Sequence, residues 1–577
     1  MSRQVINALR EFGEVNLLKM DKTMITSKKQ PRNKNNIIDR NISVTKAARF
    51  TILILLAALA FLIAAQKEPL EGMHWDVPIY LYQAKRFTET HYLVNYARHA
   101  ADVVAQVHGH LPIDEWYSEA YWRFVRLGHI AILGGVVGFL GSTFVAVVFA
   151  TWLYILFLAG GIAFCFSSVL ILGLSMERKS PWFAGAAIST LLFLLSDIYG
   201  YLAGNLVSEV LSIFLLGAAV LAILHSIKTG RLSFAILSGL LAFISYTARV
   251  ESVWTWMTFL LAYIVTQCGG ANQTVPWKPL ITTGLTAFTI YLAYALTFYP
   301  LADPRHYLEF VLNLTTRTNN GVPGYKLLFV AGGLLWVGTL VCLRWLRQSR
   351  LVRLGWLWLV LSALPWLPQI ILGGPSQTRM MALIIPPLFI LSSAGWSLLL
   401  EHGKWQSIKI AIAGCLCLAL ISQPTVYAWL HGIPGLWRVQ LVHPFLFAPK
   451  YERIDYPPTE MAALSHAIYS TNEPTVLVSN WELSQEYLNM IRFFGSSYSK
   501  NADLVLVGDP TNKKLCDNKF PTLGESVLFC QGYSDPAAMS VHLARYRVLF
   551  LRPTKVSATP GRTLLLETPT FALDEIK

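Results

Sequence analysis

The chain has 577 residues, 54% of them hydrophobic and only 14% charged, whereas soluble domains carry roughly 25% charged residues, so a wholly soluble protein is excluded. The mean hydropathy of +0.47 agrees. The net charge of +14 collects at the N-terminus and in short loops between apolar segments, the positive-inside pattern, which argues for membrane lipids as partners and no nucleic acid.

Residues 1–47 are polar and basic, with KKQPRNKNN at 28–36; they read as a cytoplasmic tail. A first span is expected at about 48–66, near the ~20 residues a bilayer requires. The stretch 67–127 is rich in Trp, Tyr, His and acids and reads as a large external loop. From 128 to 174 there is apolar length for two spans. The basic loops MERK, HSIKTGR, RWLRQSRLVR and EHGK share one side only if a single crossing lies there. Residues near 121–142 are therefore expected to form an interfacial helix, broken at GFLGS from a second span at about 145–174. Further spans are expected near 182–199, 205–225, 232–248, 253–267, 278–299, 326–343, 354–372, 380–400 and 408–428. The total is about eleven, with a cytoplasmic N-terminus.

Residues 429–577 regain polar composition. PTVLVSN (474–480), ADLVLVGD (502–509) and RYRVLFLRP (545–553) read as strands and 482–494 as an amphipathic helix. The expected fold class is thus an α-helical polytopic membrane protein with a small C-terminal α/β soluble domain on the external face. VLVGDP resembles a nucleotide-sheet edge, but neither GxGxxG nor a P-loop accompanies it. Seven cysteines are scattered without a CxxC pair. Cys165, Cys342, Cys415 and Cys417 read as small core residues, and Cys268 lies in an expected cytoplasmic loop. Cys516 and Cys530 share the domain expected to face an oxidising compartment and form a candidate disulfide.

Ionisable residues at the membrane carry the chemistry, because burying them in lipid is costly. Asp76, in HWDVPIYLYQAKRF, either caps a helix in solvent or sits desolvated among aromatics, where its pKa rises toward that of a general base. HGHLPIDEWYSEAYW supplies His108, His110, Asp114, Glu115 and Glu119, as helix-capping acids of a polar loop or as ligands of a divalent metal. Glu209, in GNLVSEVLSIF, either complements a helix dipole or belongs to a site. Arg249 (with Glu251) and Arg379 sit at outer mouths of spans, as headgroup anchors or as planar forks for a phosphate.

Taken in order, these features resemble the GT-C superfamily of membrane glycosyltransferases, which includes the protein O-mannosyltransferases and the lipid A aminoarabinose transferases. HWDVPIYLYQA stands where the family has its early loop Asp, and RFVRLGHIAILGGVVGFLGS resembles its horizontal helix. GNLVSE, YTARVES and QTRMMALIIPPLFILSSAGW resemble its Ser-Glu, Thr-Arg and late Arg-to-Pro segments. Two features depart from it. Val77 follows Asp76 in place of a second acid, and the Trp-Trp-Asp motif of oligosaccharyltransferases is missing. The resemblance implies a polyprenyl-phosphate-linked sugar donor, a glycan, lipid or protein acceptor, and inverting transfer of a monosaccharide on the external face. A bacterial inner membrane facing the periplasm is the implied location. It gives Asp76 the role of base, Arg249 and Arg379 that of donor-phosphate ligands, and Glu209 that of an orienting partner, with Asp114, Glu115 and Glu119 as further acids. A non-catalytic membrane subunit and a transporter are the alternatives. Product from purified protein separates the first from an enzyme, and repeated halves with mid-bilayer charges mark the second.

Overall fold

The computed structural model describes residues 76–89, 126–176, 181–194, 196–203, 206–268, 275–298, 328, 332–367, 382–402, 411–412, 458–471, 475–479, 490–491, 493–495, 504–508, 547–554, 562–569 and 571–576. All belong to one compact unit, Ala58–Lys577. The expected first span, the basic tail and most of the span expected at 408–428 lie outside the described residues.

Among the described residues the first element is α1 (Asp76–Glu89), a helix within the stretch expected to be an external loop. Its buried Val77, Tyr80, Leu81, Ala84 and Phe87 recur at helical spacing. Pro78 is tolerated because it lies in the first turn, where its missing N–H has no partner to lose. Next comes α2 (Leu127–Leu140), which overlaps the expected interfacial helix. It ends at Gly141, whose φ of 73° is the left-handed region that glycine adopts without strain. Thr143 then accepts from the Ala146 N–H at 3.2 Å and starts α3 (Phe144–Met176). At 33 residues, α3 is about 50 Å long, which exceeds the ~30 Å hydrocarbon thickness.

The bundle continues with α4 (Trp182–Leu194), the short α5 (Asp197–Ala203), α6 (Ser208–Thr229), α7 (Leu232–Ala248), α8 (Glu251–Cys268) and α9 (Trp277–Phe298). It closes with α10 (Leu335–Val341), which runs on as a 3-10 turn to Trp345, α11 (Arg350–Ala363) and α12 (Ile385–His402). Among the described residues, four helical stretches are long and apolar enough to cross a membrane: Phe144–Met176, Ser208–Thr229, Trp277–Thr297 and Ala382–His402. The surface of α9 has the apolar character that a lipid-facing helix requires. Trp277, Ile281, Leu285, Phe288, Leu292 and Leu296 are exposed along it at steps of three and four residues. In water such a stripe would be a large unfavourable patch.

Helix contacts are set by small residues, as expected where packing rather than hydrophobic exclusion holds helices together. Gly161 of α3 abuts Phe214 of α6, Gly239 of α7 abuts the Thr283 carbonyl of α9, and Gly395 of α12 abuts the Gly338 carbonyl of α10. Ser189 of α4 donates to Ser392 of α12 at 2.9 Å, with both hydroxyls buried.

After the bundle, α13 (Pro458–Ile468) precedes β1 (Thr475–Ser479), β2 (Leu504–Gly508), β3 (Arg547–Pro553), β4 (Arg562–Glu567) and β5 (Phe571–Ile576). The sheet order is β2-β1-β3-β5-β4, with β1 parallel to both β2 and β3, and β5 antiparallel to β3 and β4. Arg547 of β3 joins Glu575 of β5 at 2.7 Å and reaches the Thr471 hydroxyl after α13 at 3.3 Å. The hydroxyl of Ser465 in α13 donates to the Ile491 carbonyl at 2.6 Å.

Candidate active site

The α6–α7 hairpin places two distant residues together. Gly230 closes α6 in the left-handed region, its N–H donating to the Ser226 carbonyl at 2.7 Å. The chain then returns along α7, so the start of α6 and the end of α7 lie at the same end of the hairpin. Glu209 is the second residue of α6 and is fully buried. Arg249 follows α7 in extended backbone, φ −160° and ψ 121°, and is 1% exposed. Its Nη1 donates to Glu209 Oε1 at 2.5 Å and its Nη2 to Glu251 Oε1 at 3.3 Å. The Ser208 hydroxyl donates to Glu209 Oε2 at 3.3 Å. Glu251 opens α8, where the helix dipole favours an acid. The Arg249 carbonyl accepts from the Ser252 hydroxyl at 2.7 Å, which fixes the junction.

Arg249 bonds two carboxylates in a region almost sealed from solvent. Such a cluster stabilises little by itself, because desolvation offsets the attraction. Its side chains are held in one geometry by mutual bonds, and that geometry is what it contributes.

A second polar group lies where α1 and α2 meet the bundle. Gly128 of α2 packs against Thr247 and Ala248, directly before Arg249, and Gly134 and Gly138 receive Phe87 and Thr88 of α1. In this layer Tyr80 meets His129 edge-on with ring centroids 4.6 Å apart. His129 Nδ1 and the Tyr154 hydroxyl of α3 share a hydrogen bond of 2.5 Å. Arg126, 4% exposed, lies over the Tyr80 ring at 5.2 Å, an arrangement favoured between a guanidinium and an aromatic face.

Of the residues singled out from sequence, Asp76 is the first residue of α1, one turn before Tyr80. Glu209, Arg249 and Glu251 form one cluster. Asp114, Glu115, Glu119, His108, His110 and Arg379 lie outside the described residues. Arg126, His129 and Tyr80 were not singled out by sequence reasoning. The available signal was two arginines and a histidine within RFVRLGH, directly before an apolar run. Among the described residues no three His, Cys, Asp or Glu side chains gather as metal ligands.

No family model and no curated protein matches the chain. Among solved structures it is similar to ArnT from Cupriavidus metallidurans bound to undecaprenyl phosphate, with a TM-score of 0.55 and 11% identity over 90% of this chain and 97% of that one. The apo state of the same protein gives 0.55 and 12%, over 92% and 98%. The archaeal oligosaccharyltransferase AglB from Archaeoglobus fulgidus, in complex with an inhibitory peptide and a dolichol-phosphate, gives 0.47 and 10%, over 88% and 70%. The chain thus shares its fold with ArnT over 90% of its length, and at this identity the likeness is one of fold alone.

Proposed function

We propose that the chain is a membrane glycosyltransferase. It moves a monosaccharide from a polyprenyl-phosphate-linked donor to a glycan, lipid or protein acceptor at the external face, with inversion. The observation that carries the proposal is the buried Glu209–Arg249–Glu251 cluster. Charged groups are retained in such a setting for function more often than for stability. The likeness of fold to ArnT, solved with undecaprenyl phosphate, supports the donor class.

The chemistry assigns the parts. Glycosyl transfer passes through an oxocarbenium-like state, and the acceptor hydroxyl gives its proton to a carboxylate. Asp76 takes that role, at the end of α1 nearest Tyr80. Charge gathers on the departing phosphate, so preset cations must face it. Arg249 is preset by Glu209 and Glu251. Arg379 remains the second cation of the proposal, and Arg126, fixed over Tyr80, joins it on geometry. Glu209 orients Arg249. Direct displacement of a phosphate leaving group gives inversion.

The test is sugar transfer from a polyprenyl-phosphate-linked donor by reconstituted protein, with Asp76→Asn beside the wild type. The proposal expects product from the wild type and a loss of about 10²- to 10⁴-fold in the variant. Equal turnover of the two removes Asp76 as base. Absence of product from folded wild type across lipid-linked donors removes the enzyme reading in favour of a non-catalytic subunit.

A further inference from the structure

Lys85 lies in the middle of α1 yet is only 4% exposed. Lysine is almost never buried unless paired, because stripping water from an ammonium is costly. Its Nζ donates to the Gly495 carbonyl at 2.7 Å, across 410 residues of sequence. Glu89, one turn on, stands 4.0 Å away, beyond hydrogen-bonding distance.

The acceptor is held as firmly as the donor. The Gly495 N–H closes a helical turn on the Ile491 carbonyl at 2.9 Å, so its own carbonyl lies where a helix ends and a cation is favoured. That carbonyl of Ile491 also receives the Ser465 hydroxyl from α13. A Cβ at position 495 would meet the Tyr469 ring at 2.5 Å, so a larger residue here would have to displace that ring.

Helical period places these contacts. At about 100° per residue, positions 80 and 87 fall within about 40° of position 76, and position 85 falls about 180° from it. The face bearing positions 80 and 87 is the one that meets α2, through Tyr80 on His129 and Phe87 on Gly134. The opposite face, through Lys85, meets the C-terminal residues. Burial of Val77, Tyr80, Leu81, Gln83, Ala84 and Lys85 shows α1 gripped on both sides. The helix that begins at Asp76 is therefore clamped between α2 and the C-terminal residues.

We propose that Lys85 is a positioning residue. Its bond to the Gly495 carbonyl docks the C-terminal residues onto α1 and sets the orientation of the helix whose first residue is Asp76. The docking half stands on the contact alone, and the effect on turnover rests on the glycosyltransferase reading. Small misplacement of a reacting group can cost up to about 10²-fold in rate, and loss of the clamp acts through that route.

The experiment uses the full chain in reconstituted membranes. Lys85→Met keeps the apolar stem and removes the charge, Lys85→Arg restores a donor, and Gly495→Ala disturbs the acceptor from the other side. Backbone hydrogen exchange of 490–495 reports docking, and kcat and KM for a polyprenyl-phosphate-linked sugar report positioning. Lys85→Met and Gly495→Ala are expected to quicken exchange and to lower kcat about tenfold or more, with the donor KM unchanged. Lys85→Arg should recover part of both, which a merely structural lysine would not show as a change in kcat per folded molecule. Unchanged exchange in Lys85→Met overturns the docking, whatever the turnover. Quickened exchange with wild-type kcat overturns the positioning role while leaving the enzyme reading intact. Should Lys85→Met fail to fold, Gly495→Ala and Lys85→Arg decide on the same two readouts. Wild type without transfer counts against the enzyme reading, and exchange still judges the contact.

Discussion

Removing Arg249 and removing Glu209 should not cost the same, although each breaks the same 2.5 Å bond. Arg249→Met removes the cation that bonds both Glu209 and Glu251, in a site where Glu209 is fully buried and the Glu251 side chain only 10% exposed. Breaking a buried pair this way costs about 3–5 kcal/mol. Glu209→Gln loses a charge-assisted bond, about 1.5–3 kcal/mol, but Arg249 keeps Glu251. The double variant should be less destabilised than the two single costs added, because the pair is coupled. The assay is reversible unfolding of the purified protein in mixed micelles titrated with SDS. A donor present at a hundredfold excess over its Kd adds about 2.7 kcal/mol to the wild type. That increment should shrink in Arg249→Lys, which lacks the planar fork. If Glu209→Gln proves as costly as Arg249→Met, or Arg249→Met is neutral, the charge argument is wrong. If the donor increment survives in Arg249→Lys and Arg249→Met, Arg249 does not meet the phosphate.

Three further outcomes are expected. Asp76→Asn should abolish transfer while Asp114, Glu115 and Glu119 amide variants, assayed in parallel, retain it; loss in one of those instead moves the base to that loop acid. Cysteine labelling from each side should find the N-terminus cytoplasmic and residues 429–577 external, and both on one side would reject an odd number of spans. Cys516 and Cys530 should be recovered as one linked peptide pair from unreduced protein, with closure contributing about 3 kcal/mol; two free thiols would remove the bond.

The helices best read from sequence are those fixed by local signals. The apolar run between Arg231 and Arg249 gives α7 at Leu232–Ala248, and the glycine in GFLGS separates α2 from α3. Contacts between distant residues left no such signal. Glu209 and Arg249 are 40 residues apart, and each alone has an ordinary explanation as a dipole acid or a headgroup anchor. Lys85 drew no reading of its own from the sequence, because its acceptor is a backbone carbonyl, which no side-chain pattern marks. Strands β4 and β5 went unread for a different reason. Leu564 and Leu565 are both exposed on β4, so the edge strand lacks the alternation that betrays a half-buried one.

The position of the charged cluster along the hairpin also bears on what kind of membrane protein this is. Glu209 lies in the first turn of α6, Arg249 directly follows α7, and the last turn of α6 with the link to α7 carries Lys228, Gly230 and Arg231. The 22 residues of α6 span about 33 Å, close to the hydrocarbon thickness of a bilayer. A membrane crossed by α6 would therefore place the basic turn and the Glu–Arg–Glu cluster near its opposite interfaces rather than at the midplane, where secondary transporters build their sites on broken helices. Charges at an interface would ordinarily be solvated, and here they are buried. The cover includes α2, which crosses the end of α7 through Gly128 against Thr247 and Ala248 and carries Arg126 at its entry. A phosphate carried on a polyprenyl chain stays at interfacial depth while its tail remains in lipid. A protein that handles it therefore has no need of a path across the membrane. In the proposed reaction Arg249 and Arg126 would supply the cations at that depth, and α2 packs over the end of α7 where Arg249 lies.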